Sequence, residues 1–98
     1  MAISEITQGH FDTLKVPDGC RSLWPRVQES QWFTDITGAV LGVILFNSLT
    51  GYWGYVMCAR DGDGQFQRLG VGADFTSVQM AIKDLTASME RHVARGES

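Results

Sequence analysis

Two stretches decide the fold: Ala39-Val40-Leu41-Gly42-Val43-Ile44-Leu45-Phe46 and Tyr52-Trp53-Gly54-Tyr55-Val56-Met57-Cys58-Ala59-Arg60. Both are short runs of β-branched, aromatic and large apolar residues bounded by turn formers, the pattern of buried strands. Between them Asn47-Ser48-Leu49-Thr50-Gly51 reads as a loop. After the second, Asp61-Gly62-Asp63-Gly64 is the strongest hairpin signal in the chain, because Asp-Gly pairs suit turns that need positive φ.

Working outward, 31–36 alternates and ends at Thr37-Gly38, a tight turn, so it reads as a strand before the first stretch. Residues 65–73 read as a strand after the hairpin, with Gly70 and Gly72 marking a bulge or a close backbone approach. Thr76-Ser77-Val78-Gln79 has the form of a capping box, with Phe75 and Met80 placed as a hydrophobic staple. Val78, Ile82, Leu85, Met89 and His92/Val93 then recur at helical spacing. Arg91, His92 and Arg95 suit the negative end of the helix dipole, and Gly96 is a stop. A helix over 77–95 would be about 28 Å long.

The expectation is an α+β fold: a four-stranded antiparallel meander followed by one C-terminal amphipathic helix. The 98 residues suffice for a single domain. It divides into an arm (1–30), the meander (31–75) and the helix (76–95). In the arm, Ile3, Ile6, His10, Phe11 and Leu14 fall near helical spacing with Ser4 as cap, which suggests a short N-terminal helix.

An apolar fraction of 44% and a charged fraction of 19% suit a folded globule. The formal net charge of −3 gives no bulk attraction to nucleic acid or anionic lipid. The longest apolar run, 38–46, is too short for a membrane helix, and no secretory leader is legible. Cys20 and Cys58 read as reduced thiols, with Cys58 a small buried hydrophobe in its strand. A cytoplasmic address is therefore expected.

The feature that bears on function is the apolarity of both sheet faces. Trp53, Tyr55, Met57 and Ala59 share one face of their strand, and Tyr52, Val56 and Cys58 the other. Leu41, Val43 and Leu45 oppose Val40, Ile44 and Phe46 in the neighbouring strand. A one-sided sheet alternates apolar with polar. Four strands span nearly 20 Å, whereas one helix is about 10–12 Å across. Something besides the helix must cover the rest: the arm, through Phe11, Leu14, Leu23 and Trp24, or a second polypeptide. The arm carries few large apolar groups, which favours a homodimer or another protein partner. Trp53, Tyr55 and Met57, with Trp32 and Phe46, are the candidate interface residues.

Other chemistry is weakly signalled. Asp61-Gly62-Asp63-Gly64 begins like a calcium loop, but Gln65, Phe66 and Gly72 stand where such a loop needs an acid, glycine and glutamate. Gly70-Val71-Gly72 lacks a nucleotide fingerprint's third glycine. His10 and His92 have no companion at ligand spacing, and Asp35, Asp61, Asp63, Asp74 and Asp84 read as turn and surface acids. No metal, cofactor or catalytic residue is expected. Two alternatives stand beside the interaction module: a small-ligand pocket or minor active site between sheet and arm, and nucleic-acid binding along the strands through Arg60 and Arg68.

The series Trp32-Phe33-x-Asp35, Leu41-Gly42, Trp53-x-Tyr55-Val56, Arg60-Asp61 and Phe66 resembles a class of small uncharacterised bacterial proteins. That resemblance implies a bacterial cytosolic source and a self-contained domain. It carries over no activity and no site residue.

Overall fold

A computed structural model describes residues 3–21 and 26–96. The sheet has five strands in the order β1-β2-β3-β4-β5, all neighbours antiparallel. They are β1 (Ile3–Ile6), β2 (Val27–Asp35), β3 (Val40–Asn47), β4 (Trp53–Arg60) and β5 (Phe66–Phe75). Helix α1 (Gln8–Thr13) and a 3₁₀ turn (Asp18–Cys20) lie between β1 and β2, and α2 (Val78–Gly96) ends the chain. The four-strand expectation is thus corrected to five. Ile3 to Ile6, read as the start of a helix, pair instead with Asp35 to Trp32. The N-terminal helix begins later and is capped by Thr7, whose Oγ1 accepts from the His10 amide at 3.1 Å.

The turns are held by their own side chains. The buried Asp35 carboxylate accepts from the amides of Ala39 (3.0 Å) and Val40 (3.1 Å) and from the Thr37 hydroxyl (2.7 Å). Asp61 does the same for the β4–β5 hairpin, accepting from the amides of Asp63 (2.9 Å) and Gln65 (3.0 Å). Those bonds, led by the one from Gln65, hold its carboxyl below the usual range. The positive φ falls on Gly64 (+81°), a conformation glycine adopts without steric cost.

Each sheet face has its own cover. On one, Phe33, Val40, Ile44, Tyr55 and Met57 pack against Ala81, Leu85 and Met89 of α2. The helix can lie close because Gly42 has no side chain. A Cβ there would sit 2.7 Å from Leu85 Cδ1 and 2.9 Å from Met89 Sδ. The cap of α2 is Ser77, not Thr76: the Ser77 Oγ accepts from the Met80 amide at 3.2 Å. Met80 stays exposed instead of forming the staple.

On the other face, Leu41, Val43, Leu45, Val56 and Cys58 pack against Phe11, Val16 and Cys20. All five sheet residues are essentially inaccessible. The arm therefore covers this face, contrary to the expectation that it was too poor in apolar groups. Phe11 is fully buried, with Ile6 and Leu14 packed beside it. Leu23 and Trp24, the other expected contacts, lie outside the described residues.

A polar clamp fixes this cover. Arg21 donates to Asp12 Oδ1 and Glu29 Oε1, both at 2.8 Å, and its guanidinium lies 4.7 Å from the centre of the Phe11 ring. Trp32 Nε1 donates to the same Glu29 oxygen at 2.8 Å. One residue of β2 thus grips the arm and orients an indole.

Candidate interaction surface

The five expected interface residues do not end up together. Tyr55 and Met57 are 6% and 9% exposed beneath α2, which corrects their reading as surface anchors. The Tyr55 ring stacks on Phe75 at 5.9 Å, and its hydroxyl donates to Asp84 Oδ2 at 2.5 Å. Burial, then that bond, hold the phenol above its ordinary range. The ring crosses β5 where Gly72 leaves room; a Cβ at that position would sit 2.3 Å from Tyr55 Cε2. Trp32 is half-buried on the arm side.

Phe46 and Trp53 remain. They are direct partners across β3 and β4, their ring centres 4.7 Å apart and their planes tilted by 51°. This is a favourable aromatic geometry. Both are half-buried. They stand at the mouth of the β3–β4 loop, which Asn47 closes by accepting from the Leu49 (2.9 Å) and Thr50 (3.4 Å) amides. That closure leaves Leu49 67% exposed and Tyr52 43% exposed. The strand end opposite Trp53 is Phe75, and α2 begins three residues later, with Met80 53% exposed in its first turn. One end of the molecule thus carries an aromatic pair amid exposed apolar side chains.

Leu49, Tyr52 and Met80 were not among the expected interface residues. A signal existed for two of them. Leu49 is an apolar residue inside a run of turn formers, and Met80 falls off the buried stripe of Ala81, Leu85 and Met89.

The remaining candidates are dispersed. Arg60 and Arg68 are exposed, and their cross-strand partners are Phe66 and Cys58. Register puts both on the arm side of the sheet, away from Trp53 and Tyr55 on the helix side. The two arginines therefore do not flank Trp53 and Tyr55. Arg60 lies over the Phe66 ring at 4.8 Å. With Leu14, Lys15 and Pro17 of the arm it borders an open hollow of about 440 Å³. A smaller hollow of about 230 Å³ lies beside the Trp53 end, lined by Val27, Leu45, Tyr52 and Asp74 among others. Cys20 and Cys58 are free, buried thiols. Among the described residues no three His, Cys, Asp or Glu side chains come together as a metal site needs. No described helix is long and apolar enough to cross a membrane.

Neither a family model, nor a curated protein, nor a solved structure matches this chain.

Proposed function

We propose that this protein is a non-catalytic interaction module that self-associates through the Phe46–Trp53 end of its sheet. The observation that carries the reading is the tilted aromatic pair left half-buried at the sheet end from which the β3–β4 loop exposes Leu49 and Tyr52 and where α2 starts with Met80 exposed. Exposed apolar surface clustered at one end of a fold marks interaction sites, and aromatic residues are the usual anchors. A second copy is the natural occupant. A two-fold contact sets a patch against itself, and these five side chains carry no charge that would oppose its own image. The parts of the sheet faces farther from this end are filled by α2 and the arm, so the contact is confined to it.

Sedimentation equilibrium from micromolar to millimolar concentration tests this. The wild type should approach twice its chain mass as concentration rises. Leu49→Lys and Met80→Lys change exposed positions and should shift the midpoint at least tenfold toward monomer, while Ile36→Lys, 91% exposed in the β2–β3 turn, should not. A wild type that stays monomeric throughout ends the reading.

The open hollow between arm and β4–β5 hairpin supports a second reading, a pocket for a small organic anion held by Lys15 and Arg60. A thermal-shift screen of such anions that moves the wild type but not Arg60→Ala would favour it.

A further inference from the structure

Cys20 and Cys58 are 38 positions apart in sequence but share one buried layer. Cys20 closes the 3₁₀ turn of the arm, and Cys58 sits in β4, within the sheet. The 3₁₀ turn that carries Cys20 packs against β4, and both cysteines belong to the same buried cluster. They are packed with Phe11, Val16, Leu41, Val43, Leu45 and Val56.

We propose that Cys20 and Cys58 form an intramolecular disulfide when a small-molecule disulfide is the oxidant, latching the arm covalently to β4. Cys20 is the entering thiol, because the residues before it, Asp18 and Gly19, are exposed whereas Cys58 is fully buried. Its thiolate attacks one sulfur of the oxidant. A mixed disulfide forms, and one small thiolate leaves. The Cys58 sulfur, losing its proton, then attacks the Cys20 sulfur; the protein S–S bond forms as the second small thiolate departs and takes up that proton. Two electrons pass from the cysteine pair to the oxidant, which ends as two thiols. Burial, and then the neighbouring Cys20, push the Cys58 thiol up to about 12. Closure is therefore slow at neutral pH and quickens as pH rises.

The test is intact-mass measurement of the native full chain after incubation with glutathione disulfide at mildly alkaline pH. The expected product has lost two hydrogens, yields a single peptide cross-link between Cys20 and Cys58, and reverts with dithiothreitol. It should melt higher than the reduced protein by roughly 10 °C or more, since the bond closes a long loop of the unfolded chain. Cys58→Ala should instead stop at one glutathione adduct on Cys20. Persistent adducts on the wild type, disulfide-linked dimers, two thiols still free for alkylation after unfolding, or an oxidised form that melts no higher would each overturn the proposal. The wild-type measurements stand without the variant.

Discussion

The two faces of the sheet hold similar apolar residues yet are covered in different ways. Under α2, a nineteen-residue helix satisfies its own backbone hydrogen bonds and presents one regular stripe, Ala81, Leu85 and Met89. Under the arm, a six-residue helix and a 3₁₀ turn do the same work with less regular chain. An irregular segment cannot pair all its polar groups internally, and it buries few side chains per residue. The arm compensates with one large anchor, Phe11, and with the Arg21 clamp to Asp12 and Glu29. The helix needs closeness instead, which Gly42 provides. Periodic cover is specified by small residues beneath it, and irregular cover by side-chain ties at its rim.

This contrast can be broken or sharpened experimentally. Phe11→Ala should have the largest effect, a loss of about 3–5 kcal/mol in denaturant unfolding, because its ring is wholly inaccessible. Tryptophan fluorescence and far-ultraviolet dichroism should still report one transition. An arm that lifts without affecting the helix would instead separate the two probes. Leu85→Ala, its counterpart under α2, should cost about 2–4 kcal/mol by the same measurement. Gly42→Ala should follow at about 1–3 kcal/mol, as Leu85 and Met89 must shift to admit the methyl group. The same substitution at exposed Gly62, where nothing lies nearby, should cost less than about 1 kcal/mol. Arg21→Met keeps a stem over Phe11 but removes the ion pairs, and should cost about 1 kcal/mol. Wild type and variant should converge in high salt.

The last effect is one of pH, and both faces contribute. The Tyr55 phenol under α2 and the Cys58 thiol under the arm both have folded-state pKa values above their unfolded ones. Each therefore contributes stability that is full below its unfolded pKa and is lost as pH rises through the folded value. For Cys58 that window runs from about 9 to about 12. Unfolding free energy measured across this alkaline range should fall with pH. Tyr55→Phe should flatten the tyrosine share, and Cys58→Ala the cysteine share.

Much of this architecture was legible in short range. Asp35, Thr37 and Gly38 announce the β2–β3 turn, and Asp61 with Gly64 the last hairpin, because each carboxylate reaches amides only two to five residues away. The α2 stripe was legible for the same reason, although its cap fell one residue later, on Ser77. Strand β1 was not. Four residues of Ile-Ser-Glu-Ile suit a helix turn or a strand equally, and only pairing with β2 decides. The candidate surface was half legible. Phe46 and Trp53 stood out as aromatics, but the alternation that groups Trp53 with Tyr55 and Met57 does not reveal which of the three α2 will cover.

The residues alone determined that the sheet is apolar on both sides, and that a meander ending in an amphipathic helix would form. These follow from turn chemistry and side-chain period, which act over a few positions. Tertiary structure alone decided that the arm fills the second face, that Tyr55 and Met57 lie inside, and that Cys20 and Cys58 share one buried layer. Those outcomes depend on which distant surfaces come into contact. Alternation along a strand labels a face, but the free energy of covering it belongs to the pair of surfaces.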